Sequence, residues 1–313
     1  MPASIRGFVL TDLAPSAPPD TDSREFTIAA RSQGRTILRR FLRHRPAMIS
    51  TFVLIALTIF VFVYPYFWEW PFTIRDKTAL SKAPSRIHPF GTDDLGKDGL
   101  GRVMRGTQRS LEIAAIAAIL VTTIGVTLGA IAGYMRGVID AVIMRFTDLM
   151  LTLPLLVVVA VVSVGYPNAP WYIIPLVLGV FGWTGLARIV RAEFLSLREK
   201  EYVEAARAVG AVDRRIIFRH ILPNLAGPII VSATLAIAGA ILTETFLSFL
   251  GLGVRPPDVS LGFLIQDGLS AFKVRPWLFW FPAAAIVIVC LCVNFIGDGL
   301  RDAFDPKQNR IKA

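Results

Sequence analysis

Apolar residues fall in blocks along this chain rather than in alternation. Six stretches stand out: residues 47–68, 110–135, 146–165, 169–187, 225–250 and 277–297. Residues 47–68, 169–187 and 277–297 hold no charge, and the other three hold one each, Glu112, Asp148 and Glu244. A helix needs about 20 predominantly apolar residues to cross the hydrocarbon of a bilayer. Continuous runs argue against a membrane β-barrel, whose strands alternate. The pattern predicts an all-α polytopic membrane protein with six transmembrane helices.

The polar stretches divide the rest. Residues 1–45 read as a basic tail and surface helix, 46–300 as the six-span domain, and 301–313 as a second tail. Two long polar segments interrupt the domain, an outer loop at 69–109 and an inner loop at 188–224. With the N-terminus inside, the inner segments hold twice as many Lys and Arg as the outer ones, which satisfies the positive-inside rule. Both termini are then cytoplasmic.

Composition sharpens this picture in a few places. The net charge of +10 is spread over separate loops rather than gathered on one face, so it reads as membrane topology and not as a nucleic-acid footprint. The first 45 residues contain eight Arg and no apolar run, so the first block is expected to be an uncleaved span rather than a signal peptide. Residues 1–23, with PSAPPDTDS, read as a flexible tail. Cys290 and Cys292 lie two apart in one helical block and point in different directions, so apolar packing is expected, not a disulfide. His44, His88 and His220 lack metal-ligand spacing.

Within the second span, Gly125, Gly129 and Gly133 recur every four positions and line one face, where another helix can approach closely. That helix could belong to this chain or to a partner subunit. Pro154 is expected to kink the third span. Asp148 and Glu244 are costly inside a membrane. Either they face a polar path, or they have static partners, such as Arg145 one turn from Asp148. The stretch GTDDLGKD, residues 91–98, is close to a phosphate-binding loop, but Asp98 stands where a Ser or Thr would hold magnesium. No acidic residue closes it as a calcium loop either. The segment 99–109, with Arg102 and Arg105, is expected to form part of the outer surface.

The inner loop carries the most specific pattern, EYVEAARAVGAVDRRIIFRHILPN at 201–224. Tyr202, Ala205, Ala206 and Val209 share one narrow apolar face at helical spacing. Gly210 suits a left-handed helix end and Asp213 a second helix's N-cap, with Val212, Ile216 and Ile217 as its apolar side. Pro223 is expected to stop that helix. A small apolar centre ringed by charge suits a docking element; the alternative is a helix lying on lipid headgroups.

Glu204-Ala205-Ala206, then Gly210, then Ile221-Leu222-Pro223 resembles the EAA loop of bacterial ABC-importer permeases, with His220 where Ile is usual. HPFGTDDLGKDGLGRVMRGTQRSL at 88–111 and FLSFLGLGVRPPDVSLG at 246–262 are similar to the C-type permease of the di- and oligopeptide branch, as is LRDAFDPK near the end. Lys97, Gly101 and Leu261 replace a usual Arg, Ser and Trp. The likeness runs from about residue 35 onward. It implies a non-catalytic subunit of the bacterial cytoplasmic membrane that pairs with a second, homologous permease. It also implies two cytosolic ATPases that bind the ATP and magnesium, this chain holding no cofactor, and an extracytoplasmic substrate-binding protein, whose contact is expected at Arg102 and Arg105. ATPase contact is expected at Tyr202, Glu204, Ala205, Ala206, Gly210, Asp213, Ile221, Leu222 and Pro223, driving alternating access for peptides, nickel or another small solute. A polytopic enzyme would need paired catalytic groups at one depth, and a passive channel would need no docking loop; hydrolysis in detergent or transport without ATP would mark those classes.

Overall fold

The computed structural model of the chain describes residues 33–166 and 168–304. The tail expected at 1–23 and the last residues of the second tail lie outside the described residues. The helices are α1 (Gln33–Arg43), α2 (Arg45–Val63), α3 (Gly99–Met135), α4 (Gly137–Thr152), α5 (Leu155–Gly165), α6 (Ile173–Arg198), α7 (Glu201–Ala208), α8 (Asp213–Arg215), α9 (Ala226–Phe249), α10 (Leu261–Ser270) and α11 (Trp277–Phe304). A π-helical turn, Ile216–Ile221, and a 3-10 turn, Leu222–Leu225, join α8 to α9. Among the described residues no strand forms; only isolated bridges occur, Arg75 with Lys97 and Thr92 with Asp98.

Five helical stretches are long and apolar enough to cross a membrane, and α4 with α5 makes a sixth if the pair is one bent span. The bend is 70° and falls where the sequence places it. Leu153 is extended, with φ −80° and ψ 115°, the conformation that a following proline imposes. The span limits differ from the apolar blocks. Helix α3 begins at Gly99 rather than near 110, because Asp98 caps it by accepting from the Gly101 amide at 2.7 Å. Helix α6 continues past 187 to Arg198, so the first third of the inner loop extends a span.

Helix α3 is the centre of the bundle. Its small face meets α6 within this chain, which decides between the two partners left open above. A Cβ on Gly125 would sit 3.0 Å from that of Leu186; on Gly129, 2.5 Å from the Ala187 carbonyl oxygen; on Gly133, 2.6 Å from the Cβ of Phe194. A real Cβ does not come so near a backbone carbonyl, so glycine at 129 is what lets the two backbones touch. The other faces of α3 pack on α9, α10 and α11. One buried cluster, with Ile113, Ala117, Ile241 and Val289, fills the middle. A second, with Tyr134, Phe194, Val203, Ile216 and Ile221, lies at the end of the bundle that carries α7. The segment 67–98 and α10 cover the opposite end.

Candidate functional site

One buried side chain anchors helix α7 in the core. Val203 is fully buried and belongs to the cluster of Phe194, Ile216, Ile221 and Leu225. The positions read from sequence as the apolar face, Tyr202, Ala205, Ala206 and Val209, point the other way. Tyr202, Ala205 and Val209 are exposed and Ala206 half-buried. With Gly210, Ala211, Arg215 and His220 they line an open concavity of about 410 Å³. Glu204 stands exposed beside it. Helical periodicity found the stripe; it could not say that a lone valine on the other side is the anchor.

The end of α7 follows from Gly210. Its φ is +83°, the left-handed conformation that a glycine reaches at little cost. The Gly210 amide donates to the Arg207 carbonyl and the Ala211 amide to the Ala206 carbonyl, both at 3.0 Å, the paired bonds of a Schellman end. Nothing lies within 4 Å of a Cβ built on Gly210, so backbone angle, not space, demands the glycine.

Three expectations about the following turn need correction. Val212, not Asp213, precedes the first turn of α8, and no side chain caps it. The Asp213 carboxylate instead accepts a hydrogen bond from the Tyr134 hydroxyl at the end of α3. Val212 is exposed, so the apolar side of this turn rests on Ile216, fully buried, and Ile217. Pro223 does not stop the helix. It lacks an amide donor, and the chain widens into the π turn, then tightens into the 3-10 turn, and runs on as α9. Asn224 bridges the join, donating to the His220 carbonyl at 2.6 Å and to the Tyr202 hydroxyl at 3.3 Å. Ile221 is buried, Leu222 half-buried and Pro223 exposed. The loop is one folded piece, with its inner side in the core and its outer side bare.

At the other end the charges turn inward. Arg102, 6% exposed, donates to Asp93 at 2.9 Å and to Asp267 on α10 at 2.7 Å. Arg105 grips Asp258 at 2.8 and 3.2 Å. Arg109 reaches Asp258 and Glu112, both at 2.5 Å, and lies over the Trp171 ring. Arg102 and Arg105, read from sequence as outer surface, are thus held in ion pairs that tie α3 to Asp93, Asp258 and α10. Burial works to raise the Asp258 pKa; the Arg105 hydrogen bond, the Val259 amide and the charges of Arg105 and Arg109 outweigh it and hold this carboxyl below the usual range. In the near-phosphate loop, Asp93 accepts from the Leu95 and Lys97 amides, while Asp98 accepts from Gly101, Trp68 and the buried His88. Carboxylates occupy the amides that would otherwise cradle a phosphate.

The two intramembrane acids also find partners. Asp148 pairs with Arg188 of α6 at 2.6 Å, across half-exposed surface, not with Arg145. Glu244 is fully buried. It accepts from Ser248 at 2.6 Å and from Ser110 of α3 at 3.1 Å, and Ser110 in turn accepts from the Leu261 amide at 3.2 Å. Glu244 thus ties α3, α9 and α10 together. Gly125, Gly129 and Gly133 are likewise sealed between α3 and α6.

A model of the family "binding-protein-dependent transport system inner membrane component" matches residues 125–310. A second, the N-terminal transmembrane domain of oligopeptide transport permease C, matches residues 32–84. The oligopeptide transport system permease protein OppC of Mycobacterium tuberculosis (strain ATCC 25618 / H37Rv) is 42% identical over 282 residues, 90% of this chain and 97% of that protein. OppC of Haemophilus influenzae is 42% identical over 287 residues, 91% of this chain and 92% of the relative. OppC of Escherichia coli K12 is 39% identical over 288 residues, 91% and 95% of the two chains. A solved structure of the MetNI methionine ABC transporter, described as inward facing, superposes with a TM-score of 0.51 at 20% identity, covering 66% of this chain and 97% of that one; this likeness concerns the fold.

Proposed function

The chain belongs to the family of binding-protein-dependent transport system inner membrane components, in its oligopeptide permease C branch, and from that premise we propose that it moves di- and oligopeptides through the bacterial cytoplasmic membrane. It does so with a second, homologous permease, two cytosolic ATPases that bind the ATP and magnesium, and a substrate-binding protein on the outer side. Both termini and α7 face the cytoplasm. The ATPases seat on the concavity of Tyr202, Ala205, Ala206 and Val209, with Glu204 and Arg215 at its rim.

The observation that carries this reading is the outward stripe of α7. A short helix that buries one valine and presents a tyrosine, two alanines and a second valine has been shaped for another surface. A push on it passes inward through Val203 to Phe194 and through Ile216 and Ile221 to α9, because these side chains share one core cluster. Rigid rocking of the spans between two states follows.

The test is uptake of a labelled oligopeptide by proteoliposomes holding the complete set of partners. ATP-dependent accumulation that unlabelled peptide competes away is expected. Uptake without ATP would make the assembly a passive pore, and competition by nickel but not by peptide would change the cargo. Orientation is tested separately in cells. Asp94→Cys should react with an impermeant thiol reagent from outside, and Val212→Cys only after permeabilisation; the reverse would invert the topology.

A further inference from the structure

Helix α1 has two unlike sides. On its inner side Thr36, Ile37 and Phe41 are half-buried. The Phe41 ring lies 3.3 Å from where a Cβ on Gly299 of α11 would sit. His44, the single residue between α1 and α2, accepts from the Ala47 amide at 3.2 Å through Nδ1 and stands 3.5 Å from Asp302 through Nε2. The inner side is thereby pinned to the end of α11 and the start of α2.

The outer side is built from two adjacent stripes with four-residue spacing. Leu38 and Leu42 form one, at 57% and 54% exposed. Arg35, Arg39 and Arg43 form the other, all exposed, with Arg45 just beyond. No acidic residue occurs anywhere between Glu25 and Glu69. The exposed stripe of α2, Ile49, Phe52, Ile55 and Ile59, begins one turn after this cluster. That stripe is the lipid-facing side of a span, so the arginines of α1 sit at the boundary where hydrocarbon gives way to headgroups.

We infer that the outer face of α1 is a binding surface for an anionic bilayer: Leu38 and Leu42 enter the acyl boundary, and Arg35, Arg39 and Arg43 hold phosphate headgroups. Charge sign and continuity with the lipid-facing stripe of α2 select this occupant over a protein. Leu side chains alone would accept any lipid. Three guanidiniums in a row, with no carboxylate paired to them among the described residues, favour lipids with net negative charge, and guanidinium matches phosphate geometry in a bidentate manner. This inference concerns how the chain sits in its membrane and stands whether or not peptide is the cargo.

The experiment uses the full-length permease in bilayers, with both native cysteines replaced by alanine. Gly34 is exposed with open space around it, so Gly34→Cys carries a fluorophore on the face in question, and Phe52→Cys carries one on the α2 stripe. Bromine-bearing phosphatidylglycerol and bromine-bearing phosphatidylcholine are compared as quenchers at equal mole fraction. At Gly34→Cys, phosphatidylglycerol should be preferred by at least about fivefold, the weight of one arginine at an anionic surface. High salt should reduce that preference. Arg35→Gln, Arg39→Gln and Arg43→Gln together should bring the ratio near unity, and the three Lys replacements should keep most of it. At Phe52→Cys both lipids should quench alike in every variant. Equal quenching by both lipids at Gly34→Cys with the arginines intact would leave a general apolar anchor and overturn the headgroup claim. Quenching by neither would mean that a protein segment covers this face, and would overturn it too.

Discussion

The two ends of the bundle handle charge and grease in opposite ways. Around α10, charged groups are inside: His88, Asp93, Asp98, Arg102 and Arg109 are all buried, each with a named partner. Around α7, apolar groups are outside: Tyr202, Val209, Val212 and Phe218 are all exposed. A buried ion pair adds little net stability but is costly to break. A bare apolar group costs little alone but marks a surface that something else covers. The α10 end thus pairs its charges within this chain, and on the reading proposed above the α7 end is one half of a contact. Substitutions should therefore separate the two ends, lowering stability at one and function without stability at the other.

The largest loss of stability is expected from Arg102→Met. It leaves the buried Asp93 carboxylate without its cation and frees Asp267 of α10, and a single-sided break of a buried pair costs about 3–5 kcal/mol. Denaturation of the purified permease in micelles reads this directly. Adding Asp93→Asn should restore part of the loss. A cost under about 1 kcal/mol for Arg102→Met would erase the contrast between the ends.

Glu244→Ala should come next, at about 2–3 kcal/mol, because it opens a cavity and strands the hydroxyls of Ser110 and Ser248. Glu244→Gln keeps size and polarity and should cost under about 1 kcal/mol. If both variants lose alike, the charge rather than the hydrogen bonding of Glu244 matters.

Asp258→Asn should cost about 1 kcal/mol at neutral pH, since the site is partly open. Its pH dependence gives a finer test. The folded carboxyl titrates below the usual range, so its stabilising effect is complete above the unfolded value of about 3.9. It is lost as pH falls below that and through the folded value. The native chain should lose more stability than Asp258→Asn in that acid window. Parallel curves would show that the Arg105 and Arg109 pairing contributes nothing.

What sequence reveals differs between the ends for a physical reason. The α7 turn is local: Glu204, Ala205, Ala206 and Gly210 lie within seven positions, and a glycine just after a helical stripe commonly ends the helix in the left-handed conformation. The small face of Gly125, Gly129 and Gly133 was equally plain, because i, i+4 spacing is itself local; which helix it met was not. The α10 network joins Asp93 and Arg102 to Asp267, 165 residues beyond Arg102, and no spacing rule spans that distance. The arginines of 99–109 made a helix look like a loop, since charge usually marks solvent. Asp98 held the missed signal: an N-cap ahead of GLGR, opening α3 eleven residues before the apolar block. Asp213 misled in the reverse sense, for an aspartate after a turn reads as a cap until Tyr134 is seen to claim it.

The smallest change in stability, and the largest change in function, should come from Ala206→Trp. Ala206 sits in the wall of the α7 concavity, among Tyr202, Ala205 and Val209. An indole there projects into open space, so nothing in this chain is displaced, and surface changes of this kind usually fall within about 0.5 kcal/mol. A partner seated in the same concavity meets the ring directly. Gly210→Val acts differently, since φ +83° disfavours a β-branched residue; it should cost about 1–3 kcal/mol and misdirect α8. Pull-down of the ATPases with tagged permease, beside peptide uptake and a melt of the permease alone, separates the three effects. Ala206→Trp should melt like the native chain, lose the ATPases and lose uptake. A native melt with ATPases and uptake retained would leave the bare stripe of α7 without a partner, and the two ends would then differ only in how they fold.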